Sequence, residues 1–197
     1  VAIIDWAAVF ARDVLNADVA LRPIPFAVFM VGMIIGRLSM TRMAERWHPH
    51  LIASRGSFLA ALALTLAAIF APMIADISTS LGLMTASLLW GVAGFGLSSV
   101  SPAFFSAAGH VPGVSTAWAV SRLSLFNSMV SIGAKTVMGA LTEGVGLSMA
   151  FFFPITLAIG SGIIAGMFAS RARQSELNAA APPTGPISII VAPEGDR

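Results

Sequence analysis

Long apolar runs, broken at short polar or Pro/Gly-rich clusters, dominate the chain. Twenty residues without Asp, Glu, Lys or Arg separate Arg55 from Asp76; 45 run from Ile77 to Ser121 and 27 from Gly144 to Ser170. About 20 such residues in a helix cross the ~30 Å hydrocarbon core of a bilayer. Cut at Pro, Gly and polar clusters, the runs predict six helices, over 1–16, 23–41, 51–72, 80–105, 115–141 and 147–170. The first is short for a span, as a helix would be whose beginning had been cut off. The breaks between helices, such as Asn16-Ala17-Asp18 and Glu143-Gly144-Val145-Gly146, are brief, so neighbouring helices must alternate in direction. The expected fold class is all-α: a polytopic membrane protein with a six-helix bundle over 1–173. Beyond it, Ala179-Ala180-Ala181-Pro182-Pro183 cannot hold a helix. A flexible tail is expected over 174–197.

Composition agrees with the pattern. Of 197 residues, 57% are hydrophobic and only 10% charged, against about 25% charged in an average soluble domain. Mean hydropathy is +0.88. Eleven basic and nine acidic residues cannot build a water-facing surface around 20.4 kDa, and disorder is excluded by the same numbers. The pI of 10.4 does not signal nucleic acid. The net charge is only +2, and ten of the eleven basic residues are Arg scattered between apolar runs, where phosphate binding needs a cluster on one face. With no Cys, disulfides, thiolate metal sites and Cys nucleophiles are absent. The opening Val1-Ala2-Ile3-Ile4-Asp5 has no basic region of a signal peptide and no initiator Met, which points to a fragment or an alternative start codon.

Alternating helices allow sides to be assigned by the excess of Lys and Arg in cytoplasmic loops. One side collects Arg37, Arg42, Arg46 and Arg55, Arg122 near the start of the fifth helix, and Arg171 and Arg173 after the sixth. The other has Arg12 and Arg22, offset by Asp13 and Asp18. The Arg-rich side is expected to be cytoplasmic, and the C-terminus with it.

The stretch Gly36-Arg37-Leu38-Ser39-Met40-Thr41-Arg42-Met43-Ala44-Glu45-Arg46-Trp47, between the second and third helices, resembles the conserved cytoplasmic loop of the major facilitator superfamily. Asp5–Leu15 looks like the end of that family's seventh helix in bacterial sugar-permease-like members, and Gly94–Gly109 like its tenth. Residues 1–173 thus resemble helices seven to twelve, the C-terminal half of a twelve-helix transporter. Two positions depart from the pattern: Thr41 stands where the family usually has Asp, and Met40 where it has Gly. A gate-locking role of that Asp would be absent, weaker, or carried by Glu45. Apart from the family, Gly32 and Gly36 are spaced for close helix approach. Arg37, Arg42 and Arg46 can hold a membrane boundary by pairing with Glu45, with carbonyl ends or with lipid phosphate; a plain topology anchor is the alternative.

The fifth helix carries the densest intramembrane polarity. Ser121, Ser124, Ser128, Ser131 and Lys135 recur at steps of three and four, with Asn127 at the edge, and so share one face. That face suits water, solute or another helix rather than lipid; serines that join helices are the competing reading. Lys135 and Asp5 are ionisable groups within spans, which are costly and so functional by default. Lys135 lies about 9 Å and Asp5 about 16 Å from the outer ends expected for their helices, so a pair across the cavity is one possibility and a local cap on Asp5 the other. Arg122 projects away from the stripe, toward headgroups. Gly91, Gly94 and Gly96 before Pro102, and the pair Gly162 and Gly166, read as packing. His48 and His50 read as solvated loop residues; no metal or cofactor site is expected.

The resemblance implies secondary active transport of a small solute by alternating access, sugars first, with proton coupling and a bacterial inner-membrane location. The candidates for solute or coupling contact are Asp5, Lys135, Asn127, Ser128 and Ser131; the loop candidates are Gly36, Arg37, Arg42, Glu45 and Arg46. Expected partners are the bilayer, a small-molecule substrate, and a missing N-terminal half or a second copy. A non-transporting subunit or degenerate half is the alternative. A membrane-embedded enzyme fits less well, since no His, Asp or Glu cluster lies at one membrane face.

Overall fold

The computed structural model describes the backbone of residues 2–109 and 113–180, and side chains over 6–40, 42–109, 113–171 and at Gln174. The described residues are all-helical: α1 (Ala2–Asp13), α2 (Ile24–Ala44), α3 (Pro49–Ala75), α4 (Thr79–Leu97), α5 (Val100–Gly109), α6 (Thr116–Val145), α7 (Leu147–Ala150) and α8 (Phe152–Ala180). Taking α4 with α5 and α7 with α8, these are the six predicted segments. Four of them are long and apolar enough to cross a membrane: Ile24–Ala44, Pro49–Ala75, Thr79–Gly109 and Leu147–Arg171. At 30 residues α6 has the length, but its Ser, Asn and Lys positions lower its hydropathy below theirs.

The chain's own chemistry sets the boundaries. Asn16 takes a left-handed φ of 51°, and the Ala17 N–H donates to the Ala11 carbonyl at 2.9 Å. This is the six-to-one bond of a Schellman stop, and Asn tolerates that backbone better than most residues. Proline opens α3 at Pro49, where its missing N–H costs nothing. Between α6 and α7, Gly146 sits at φ 84°, a turn that a side chain would strain.

The structure departs from the expected boundaries at several helix ends, and three of these departures change the architecture. The second helix does not end at 41 but at Ala44, because nothing between Gly36 and Ala44 breaks it. Much of the loop-like motif is therefore helix, and only residues 45–48 connect α2 to α3. In the fourth segment the break falls at Ser98-Ser99, ahead of Pro102. The proline ring excludes the carbonyl four residues earlier, which belongs to Ser98. The Ser98 Oγ donates to the Phe95 carbonyl at 2.7 Å and the Ser99 Oγ to that of Gly96 at 3.5 Å. Finally, α8 continues to Ala180, so residues 174–180 are helical rather than part of a loose tail. Gln, Glu, Leu and Ala there are good helix formers. Residues 181–197 lie outside the described residues.

The bundle is organised around α4. Helices α2 and α3 pack on it from two sides while hardly touching each other, and α8 packs on α3. Glycines make these seams. A Cβ on Gly32 would strike the Gly91 carbonyl, one on Gly94 the Phe29 carbonyl, and Gly56 and Gly96 meet back to back. The α3–α8 seam places Gly162 against the Phe58 ring and Gly166 against Ser54. Here the Ser54 Oγ donates to the Gly162 carbonyl at 2.7 Å. Small residues matter because lipid tails are as apolar as the helix surfaces, so close packing must supply the association.

An aromatic cluster ties α1, α2, α4 and the α7–α8 junction together. Trp90 of α4, 1% exposed, lies 6.2 Å from Phe10, 5.7 Å from Phe151 and 6.5 Å from Phe29 between ring centroids. Phe10 and Phe151 meet edge to face at 4.8 Å.

Candidate functional site

Helix α6 differs from its neighbours in how little of it is buried. It packs against α5, α7 and α1, and Met138, at 1% exposure, is its buried residue. From Thr116 to Val137 each position is exposed or half-buried. The helix is held by α7 and α1 near its Val145 end and by α5 toward its start, where the Thr116 Oγ donates to the Gly109 carbonyl at 3.1 Å, and it buries little between.

Its surface divides into three faces by helical spacing. One face, formed by Leu123, Phe126, Asn127, Val130, Ser131 and Ala134, lines a cavity of about 510 Å³ shared with α5 and α8. Across the cavity stand Ser101, Phe104 and Phe105 from the kinked segment, and Pro154, Leu157 and Ser161 from α8. A second face carries Ser121, Ser124, Ser128 and Lys135, all exposed, with half-buried Ser131 at its edge. The third is apolar and open: Leu125 is 63% exposed, Met129 72% and Ile132 68%.

The candidate residues therefore separate. Asn127 and Ser131 come together on the cavity wall. Ser128 stands on the neighbouring face, where its Oγ donates to the Ser124 carbonyl of its own helix at 3.0 Å. Lys135 shares that face. Because α6 runs on to Val145, Lys135 lies about 15 Å from that end by helix rise, farther than the expected 9 Å. Asp5 sits about 12 Å from the end of α1 on the same measure, which brings the two to more similar depths. The Asp5 side chain is outside the described residues, and its pairing with Lys135 with it; the two helices are packing neighbours.

Sequence reasoning missed Ser101 and Ser161 opposite Asn127 and Ser131. A single Ser beside Pro102, and another in the small-residue run of α8, carry no periodic signal of their own. Arg122 lies outside the cavity, with its guanidinium 4.8 Å from the Trp118 ring centroid. Its side chain thus bends toward the start of α6, the direction required to reach headgroups.

The motif around Gly36 is structural where it is buried and charged where it is open. Gly36 packs against Ser98 and the Phe95 carbonyl; Arg37, Arg42, Glu45 and Arg46 are exposed. Among the described residues the ion pair is Arg12 with Asp13 at the end of α1, so Glu45 is not bridged to an Arg of the motif. Thr41's side chain is not among those described. His48 opens α3 and the His50 ring lies 5.9 Å from that of Phe168. Among the described residues no group of three or more His, Cys, Asp or Glu gathers as metal ligands do.

Taken together, the apolar helices and the polar-faced α6 define a helical membrane protein with an open cavity between α5, α6 and α8. The chain is 25% identical over 148 residues to an uncharacterised MFS-type transporter of Yersinia pestis; the match covers 75% of this chain and 36% of that protein. The chain thus corresponds to about a third of the relative's length. No family model matches it, and no solved structure does. The likeness supports a transport role in general terms.

Proposed function

We propose that the chain forms the C-terminal six-helix half of a major facilitator-type secondary transporter, moving a small solute by alternating access. The observation that carries this reading is the exposed polar face of α6. Ser121, Ser124, Ser128 and Lys135 lie open along one side of a helix set among membrane-length neighbours. Polar groups at such depth face a bundle interior or a water-filled path, not lipid. In a transporter built of two six-helix halves the path runs between the halves, so this face turns toward the partner half or a second copy. Asn127 and Ser131, at the border with the cavity, are placed to contact a polar solute. Lys135 with Asp5 supplies charge near mid-depth, where proton coupling would act. The bundle spans 1–173 in the bacterial inner membrane, with the Arg-rich side and the C-terminus cytoplasmic.

The test is uptake by proteoliposomes carrying the whole transporter under an imposed proton gradient, screened against small polar metabolites with sugars first. Ser128→Leu should lower the initial rate by about tenfold, the equivalent of ~1.4 kcal/mol, while leaving the amount of folded protein unchanged, since its side chain is exposed. Lys135→Gln should flatten the dependence of rate on the gradient. No uptake above that of protein-free liposomes, or rates indifferent to both substitutions, would contradict the reading.

A further inference from the structure

We infer that the groove between α2 and α3 is a binding site for an anionic glycerophospholipid, with Arg55 holding the phosphate and the groove holding acyl carbons. This rests on α2 and α3 as membrane spans, but not on transport. Because both helices pack on α4 and hardly on each other, a groove remains between them, and at the end where they are joined it widens to a cavity of about 250 Å³. Met40 and Met43 of α2, Leu59 of α3 and Phe95 of α4 are among its walls. The floor is apolar in effect: the Ser98 and Ser99 hydroxyls are already donated to the Phe95 and Gly96 carbonyls. At the mouth, the Arg55 guanidinium stacks over the Trp47 ring, 4.2 Å from its centroid. Both residues are exposed and both line the cavity.

Charge and shape select the occupant. Arg55 is the charged residue lining the cavity, and the segment from Gly36 to Arg55 carries Arg37, Arg42, Arg46 and Arg55 against one acid, Glu45, so the chain around the mouth is net cationic. Guanidinium on an aromatic ring keeps its N–H edge available for phosphate oxygens. Trp favours the headgroup level of a bilayer, which is where a phospholipid places its phosphate above its chains. A free phosphate would satisfy Arg55 but leave the Met, Leu and Phe walls uncovered. A zwitterionic lipid would fill the walls but bring its own cation to the cluster. The phosphatidylglycerol type meets both requirements.

The experiment follows heat-induced loss of the monodisperse protein in dodecyl maltoside, titrated with dioleoyl phosphatidylglycerol, dioleoyl phosphatidylcholine or inorganic phosphate. Phosphatidylglycerol should raise the midpoint saturably, and the other two should not. Arg55→Gln should weaken the response about tenfold, in keeping with the loss of one charge-assisted contact. Arg122→Gln, removing an Arg that stacks on Trp118 away from this groove, should leave it intact. Met40→Trp fills the chamber without changing charge and should also abolish the response, which keeps the test decisive if Arg55→Gln folds poorly. Equal shifts with both lipids, a shift with phosphate alone, or equal losses in the two Arg variants would overturn the site. Extraction of the protein from membranes by alkaline carbonate would overturn the spans instead; retention without a phosphatidylglycerol response would overturn only the lipid site.

Discussion

Gly96→Ala should destabilise the protein by about 3 kcal/mol, the upper end of the usual cost of overpacking. The added methyl would run into the carbonyl of Gly56, with Ala60 N 3.1 Å and the Gly56 carbonyl carbon 3.2 Å away. The obstacle is backbone on both sides, so no rotamer change relieves it. The helices α3 and α4 must separate, and with them the packing that holds α8 on α3. A fall on the order of 10 °C in the thermal midpoint of the detergent-solubilised protein is expected. Gly133→Ala is the matched control, since nothing lies within 4 Å of the position. Alanine is the better helix former by about 0.8–1 kcal/mol, so that variant should be neutral or slightly more stable. Equal midpoints for the two variants would show that the α3–α4 seam is loose enough to take a methyl group.

Trp90→Ala should have an effect of similar or larger size, about 3–5 kcal/mol. The indole is 1% exposed and is the shared neighbour of Phe10, Phe29 and Phe151. Removing it leaves a cavity where α1, α2, α4 and the α7–α8 junction converge. Total stabilities of folded domains are commonly 5–15 kcal/mol, so this one side chain is a large part of the whole. Trp90→Phe keeps an aromatic ring in place and should lose clearly less. The comparison is again of thermal midpoints in one detergent. A midpoint for Trp90→Ala within 2 °C of the parent, about 1 kcal/mol or less, would contradict the role given to the cluster.

Much of this architecture is legible in the residues. Asn16, Pro49 and Gly146 mark helix ends because each fixes a backbone choice that few other residues make, and the glycines at 32, 91, 94 and 96 mark close contacts because little else fits there. Local chemistry of that kind is read directly. The end of α2 is harder, since Met40, Met43 and Ala44 neither favour nor forbid a loop and helix propagation decides. The break in the fourth segment follows from Pro102, but the proline acts on the carbonyl of Ser98, so the kink appears away from the residue that causes it.

The candidate site was legible by halves. A period of three to four residues groups Ser121, Ser124, Ser128, Ser131 and Lys135 on one side of α6, and that grouping holds in the structure. What stands opposite each side depends on how far α6 leans from the bundle, and spacing within one helix carries no information on that. Hence Asn127, at the edge of the stripe by sequence, lines the cavity, while Ser128, at its centre, does not. Ser101 and Ser161 become relevant only because α5 and α8 bring them to the same cavity.

The claim that α6 presents a polar face to a water-filled path is open to one direct measurement. The chain has no cysteine, so a single substitution gives it one reactive thiol. Cysteines placed in turn from 121 to 135 can be treated in native membranes with a membrane-impermeant maleimide and the rate of labelling compared. Labelling should be rapid at 124, 128 and 131 and slow at 125, 129 and 132, a helical alternation that separates the polar face from the apolar open one. Uniform labelling along the helix would place α6 in water, and resistance at 124, 128 and 131 equal to that at 125, 129 and 132 would place its polar face against lipid or packed protein; either result contradicts the proposed path.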